Sequence, residues 1–319
     1  MDKIGIILWS GLFLFSLTTV TWAQSELPPI SEINTDPLWE VSLAEWDLKG
    51  WFNYLLYYPN RTQMLSRVNF PQNQLMPILN LKYTLPGNRF FVRLQYGQAA
   101  AGTKGRGFDG DWTIPDRETL TFYGDFDAYG SQSIGTLDVG RILSGHGLQR
   151  TSAFLGLIRQ ITTNELKNGV YHRYFGVAVD GQPQADLGST LDGKFQGVRL
   201  GIEREQHWSR WLCTSTVGLT VLETKAYGHW ANHDPAWDWV NSGYTVGVTA
   251  GLSLQYAVTR NIVAQLGYYL NYAQNYFHLL ACDELITGAG FSPEGELYPD
   301  QVILNYKQQG IRGGIKVLF

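Results

Sequence analysis

The feature that most restricts this chain is period-two alternation held over unusually long runs. In "GYTVGVTAGLSLQYAV" the residues Tyr244, Val246, Val248, Ala250, Leu252, Leu254 and Tyr256 fall on one face. Thr245, Gly247, Thr249, Gly251, Ser253 and Gln255 fall on the other. In "IVAQLGYYLNYAQNYF", Ile262, Ala264, Leu266, Tyr268, Leu270 and Tyr272 alternate with Val263, Gln265, Gly267, Tyr269, Asn271 and Ala273. "RFFVRLQYGQ" repeats the pattern, with Phe90, Val92, Leu94 and Tyr96 opposite Phe91, Arg93 and Gln95. Successive side chains of a strand point to opposite faces, so each run is a strand with one apolar side. Strands of soluble sandwiches average about five or six residues, and these are longer. An apolar face ending in aromatics, backed by a small or polar face, suits a barrel with lipid outside and a polar lumen inside. A secreted jelly roll or lectin-like sandwich would show the same alternation, its apolar face turned into a core.

The final segment separates the two. In "GIRGGIKVLF", Ile311, Ile315, Val317 and Phe319 share one face, and Arg312, Gly314, Lys316 and Leu318 the other. A last strand ending on a phenylalanine resembles the closing strand of bacterial outer-membrane barrels. The expected fold class is all-β, a ten-stranded antiparallel transmembrane β-barrel.

Composition agrees. The chain has 319 residues, 35 of them glycine, with 14 % aromatic and only 16 % charged residues, a mixture suited to many turns and exposed rings. The net charge is −4, without a basic run, which argues against a nucleic-acid partner. Residues 1–23 read as a signal peptide, with Lys3, the apolar stretch "IGIILWSGLFLFSL" and "TWA" ending at Ala23. Residues 24–40 read as a periplasmic leader, and 41–319 as the barrel. Cys213 and Cys282 are the two cysteines, too few for a disulfide-stapled domain of this size. They are expected to be free, at opposite ends of a band about 25 Å tall.

The turns divide the barrel into about ten strands, an even number as such barrels require. They are expected near Val41–Tyr58, Met64–Leu85, Arg89–Gln98, Thr119–Leu143, Ser152–Lys167, Thr190–Glu203, Arg210–Tyr227, Ser242–Val258, Asn261–His278 and Gln301–Phe319. The short turns "PGN", "SGHGLQ", "REQHWS" and "TRN" fall on one side, expected to be periplasmic. The long connections Ala99–Arg117, Asn168–Gly188, "GHWANHDPAWDWV" and Leu279–Pro299 fall on the other. That parity gathers Asp109, Asp111, His229 and His233 at the outer mouth.

"GFDGDW", residues 107–112, places two carboxylates one residue apart beside Trp112. Asp-Gly is a frequent turn dipeptide, so the stretch could be a turn and nothing more. A calcium site would need further oxygens, with Asp116 the one nearby candidate. No G-x-S-x-G, phosphate loop or H-E-x-x-H is present, and the Ser and His of "GHGLQRTS" fall at a periplasmic turn. No cofactor is indicated. Trp230, Trp237 and Trp239 read as girdle or loop-packing residues. His146, His172, His207 and His278 show no pairing.

On Asp109-Gly110-Asp111-Trp112, and more loosely on Phe70-Pro71 and the closing "GGIKVLF", the chain resembles the omptin family of outer-membrane endopeptidases. The resemblance implies an Asp-Asp pair facing an Asp-x-His pair across a cleft, with a water between them. Asp109 and Asp111 would then bind and polarise the water, and His229 would activate it as a general base. It also implies outer-membrane lipid, lipopolysaccharide included, and a peptide or protein substrate as partners, with the loops at the cell surface. The chain departs from the pattern at Tyr227, where the family places the carboxylate that orients the histidine. Losing that carboxylate costs about four orders of magnitude in a comparable triad, so weak or absent activity is expected, and Tyr227→Asp is expected to raise it. Asp234 is the alternative carboxylate. Two functions stay open: a surface endopeptidase, or a noncatalytic barrel that binds a ligand, adheres or is structural. A general porin is third, because ten strands leave a lumen largely filled by side chains.

Overall fold

A computed structural model describes residues 38–57, 64–86, 89–112, 120–145, 149–174, 176–183, 188–231, 237–275, 284–287 and 302–319. The signal-peptide and leader readings, apart from the last few leader residues, lie outside the described residues, as do Asp116, His146, His233, Asp234, His278 and Cys282.

The strands are β1 (Trp39–Tyr57), β2 (Met64–Pro71), β3 (Gln74–Thr84), β4 (Phe90–Trp112), β5 (Leu120–Ser144), β6 (Gln149–Thr162) and β7 (Glu165–Tyr174). They continue with β8 (Val177–Pro183), β9 (Thr190–Trp208), β10 (Trp211–Trp230), β11 (Trp237–Ala257), β12 (Ile262–Asn275), β13 (Glu284–Thr287) and β14 (Val302–Leu318). All pairings are antiparallel. The ring runs β1–β3–β4–β5–β6–β9–β10–β11–β12–β14 and returns to β1. These ten strands form the expected barrel. β2 and β7 prolong β3 and β6 beyond a break, β8 pairs with β7 as a hairpin, and β13 pairs with the end of β11. Closure is continuous from Glu40 opposite Leu318 to Leu56 opposite Val302, which leaves no free edge at the seam.

Alternation decides what faces lipid. Leu43, Leu75, Leu155, Leu266 and Ile315 point outward and are more than half exposed. At the end with short turns, Trp39 stacks on Tyr83 at 4.6 Å and Trp211 on Tyr256 at 4.8 Å, forming one aromatic girdle. At the other end the outward face changes to ion pairs, Asp47–Lys49 at 3.0 Å and Glu223–Lys225 at 3.2 Å. The apolar band lies between these limits. Crossing it takes about 9–11 residues, yet β5 has 25 and β4 has 23. More than half of each strand therefore stands beyond the band.

This extension accounts for where the expected boundaries fall short. Strict alternation in β4 ends at Gln98, because register shifts fall between Ala99 and Gly102 and between Thr103 and Gly105. A bulge adds a residue and reverses the faces, so a period-two reading stops where the strand does not. The connection expected over Ala99–Arg117 is thus strand as far as Trp112, and the polar stretch Asn168–Gly188 contains the β7–β8 hairpin.

The lumen is filled in layers. Lowest is an ion-pair layer: Glu40 with Lys82 and Lys316, Glu205 with Arg150, Glu203 with Arg93, and Asp138 with Arg93 and Arg199. Above it, Asn271 donates to Gln160, Gln160 to Gln308 and Gln308 to Gln132. The top layer is aromatic. Phe195 packs between Phe52 and Tyr306, and Phe70 lies 5.0 Å from Phe126. Several rings are accommodated by a glycine directly opposite: Phe91 over Gly140, Phe154 over Gly201, Phe126 over Gly107. A β-carbon at any of the three would overlap the ring, so these glycines are the space the plug occupies.

Candidate functional site

Asp109 and Asp111 lie in β4 well beyond Tyr96, the last outward aromatic of that strand's lipid-facing run, and so above the apolar band. Opposed residues in an antiparallel pair share a face. Asp109 is opposite Val68 on β2 and Gly124 on β5, and Asp111 is opposite Ser66 and Phe122. Val68 is buried in the lumen, next to Tyr54 across β1. Both aspartates therefore point inward, above a floor made by Phe70 and Phe126. "GFDGDW" is strand, not turn.

The two carboxylates are in unequal surroundings. The Oδ1 of Asp109 is buried with no hydrogen-bond partner among the described residues. Burial, and secondly the neighbouring charge of Asp111, hold its carboxyl well above the ordinary carboxylate range, while the Gly110 N–H works in the opposite direction. Burial raises Asp111 too, but the Ser66 hydroxyl donates to it and favours its ionised form. A pair of carboxyls in one low-dielectric site does not ionise twice easily. Asp109 is thus pushed up further than Asp111, and Asp111 alone has a side-chain hydroxyl that favours its ionised form. Ser66, 45 positions earlier in the chain, has no signal in the sequence; only the β2–β4 register brings it here.

His229 is not brought to this pair. It lies in β10, opposite Thr190 on β9 and Asp238 on β11. In β10 the even positions Leu222, Thr224 and Ala226 are buried in the lumen, whereas Tyr227 is 41 % exposed. His229 and Tyr227 therefore belong to the outward face. This corrects the expected convergence: Asp109 and Asp111 face the lumen, and His229 faces away from it. The wall of β10 and β11 turned toward the aspartates offers small residues, Ala226, Gly228 and Gly243.

The described residues do contain an Asp-His pair, and sequence reasoning missed it. His172 Nε2 lies 2.9 Å from Asp125 Oδ2, and the Tyr123 hydroxyl donates to Asp125 Oδ1 at 3.1 Å. These residues are on β5 and β7, 47 apart in sequence, so no spacing rule could have found them. Asp125 is opposite Phe108, which places the pair on the outer face of the sheet that carries Asp109 inside. A second unannounced group is Lys104, fully buried at the bulge of β4. Its ammonium donates to Thr162 Oγ1 (2.8 Å), Asn164 Oδ1 (3.0 Å), Gln72 Oε1 (3.2 Å) and the carbonyls of Ser131 and Thr163. It ties together the breaks at β2–β3 and β6–β7. Among the described residues, no three His, Cys, Asp or Glu side chains are close enough to hold a metal ion.

No protein-family profile and no curated protein matches the chain. Solved structures do. The outer membrane protease OmpT from Escherichia coli is similar with a TM-score of 0.72, over 93 % of this chain and 100 % of that one, at 12 % identity. The translocator domain of the autotransporter NalP from Neisseria meningitidis is similar over 90 % of both chains, at 11 % identity and a TM-score of 0.39. The first likeness shows an omptin-like barrel fold; at this identity it shows the fold alone, and the second carries no further argument.

Proposed function

We propose that the chain is an outer-membrane barrel, its long connections at the cell surface, that carries the acidic half of an omptin-like endopeptidase site in Asp109 and Asp111. The observation that carries this reading is the inward, buried carboxylate pair above the aromatic floor, with an unpartnered oxygen on Asp109. A water at such a pair has a carboxylate to accept its proton and a carboxylic acid to polarise a carbonyl. Ser66 favours Asp111 as the base, and burial favours Asp109 as the acid. His229 has no part in that chemistry, because its strand position turns it outward.

A second reading is favoured by Tyr227 and by the same outward His229: a noncatalytic barrel that retains the carboxylates and lacks the base. Incubating the refolded barrel with a mixed peptide library, in the presence of lipopolysaccharide, separates the two. The endopeptidase reading expects cleavage that Asp111→Asn or Asp109→Asn lowers by orders of magnitude, and that His229→Ala leaves unchanged. Cleavage indifferent to both aspartates overturns the site. A wild-type barrel that cleaves nothing selects the noncatalytic reading.

A further inference from the structure

Within the ion-pair layer of the lumen lies a cavity of about 170 Å³. Its charge does not balance. The lining holds the cations Lys82, Arg93, Arg199, Arg312 and Lys316, against the acids Glu40, Glu203 and Glu205. Counting the pair partners Arg150 and Asp138 on either side leaves the same excess of two positive charges. Four of the lining cations have a carboxylate within 4 Å. Arg312 has none among the described residues.

Arg312 is 8 % exposed, and its Nε has no partner. Its one hydrogen bond among the described residues, from Nη1 to Gln95 Oε1, is long at 3.4 Å. The guanidinium is flanked by Tyr269, 4.0 Å from the ring centroid, and Trp46 at 4.9 Å. Those rings cover its faces and leave the in-plane N–H edge as the part that can still bind. That edge is a fork matched to a carboxylate or phosphate. A desolvated cation without an anion is costly, and the cavity has room for about five waters, or for one small oxyanion with fewer.

We infer that the lumen cavity is a binding site for a small oxyanion of the phosphate class, held by the edge of Arg312. This site is independent of the carboxylates at the mouth.

The test follows the unfolding midpoint of the refolded barrel, read by heat-modifiable gel mobility, while inorganic phosphate replaces sodium chloride at constant ionic strength. Wild type is expected to gain stability saturably with phosphate, as ligand binding to the folded state requires. Arg312→Met is expected to lose that dependence, and to be more stable than wild type without phosphate but less stable at saturation. Arg312→Lys keeps the charge without the fork, and is expected to bind phosphate at least tenfold more weakly; it also serves if Arg312→Met does not fold. Equilibrium dialysis of wild type against radiolabelled phosphate measures the stoichiometry, expected to be one. No saturable difference between phosphate and chloride in wild type overturns the inference, as does undiminished phosphate dependence in Arg312→Met or Arg312→Lys.

Discussion

Replacing Asp109 by asparagine tests the acidic site through the stability of the barrel. The carboxyl is raised well above its ordinary range, by burial first and by Asp111 second, and its Oδ1 has no partner among the described residues. An aspartate whose folded pKa exceeds its unfolded value of about 3.9 gives its full stabilisation only below that value, and loses it as pH rises through the folded pKa. Inside that window each pH unit removes about 1.4 kcal/mol. Asparagine keeps the shape and cannot ionise. A buried polar group without a partner costs about 1–3 kcal/mol, and more when charged. Asp109→Asn is therefore expected to exceed wild type by at least about 1–3 kcal/mol at pH 8, with the gap closing near pH 4. For chains of this size that is about 2–4 °C per kcal/mol. Midpoints from heat-modifiable mobility at pH 4, 6 and 8 measure it. A variant less stable than wild type at pH 8, or a gap that ignores pH, refutes the reasoning. A more stable variant without cleavage would place a stability cost at the functional residue.

Three further outcomes follow. Tyr227→Asp is expected to leave peptide turnover unchanged in the cleavage assay, because residue 227 faces outward; a large gain would mean that the β10 register is wrong. Gly140→Val drives a side chain into the Phe91 ring and is expected to cost at least about 1–3 kcal/mol, seen as a lower unfolding midpoint or loss of the folded gel species. Cys213 is free and half-buried near the short β9–β10 turn, so a maleimide is expected to label it faster in the unfolded barrel than in the folded one. Equal rates would contradict its position.

Much of the barrel was legible because lipid imposes a simple code on strands. Where one face meets hydrocarbon and the other a polar lumen, as in β11, β12 and β14, alternation locates the strand and its faces. Above the band both faces carry mixed residues and the code weakens. Two bulges in β4 then shift its register against β5 by two residues between Gln98 and Asp109, so the pairing partner of each aspartate could not be counted from the membrane outward. The DxDW stretch was recognisable as a candidate, but its inward direction depends on register with β2 and β5. For His229 the face follows only from the burial of its neighbours in β10. Ser66, Lys104 and the Asp125–His172 pair depend on contacts between distant strands, and no local pattern encodes those.

The stacked layers of the lumen make this barrel a post rather than a pipe. Among the described residues, buried polar and aromatic side chains fill the interior in layers, so a copy reconstituted in a planar bilayer is expected to pass almost no current. In the proposed setting, the mouth answers only to the acidity and solutes of the medium outside, and the cavity near the short turns only to the compartment beneath. A cell could crowd its surface with such barrels without opening its permeability barrier, which a wide-bore porin of the same abundance could not allow.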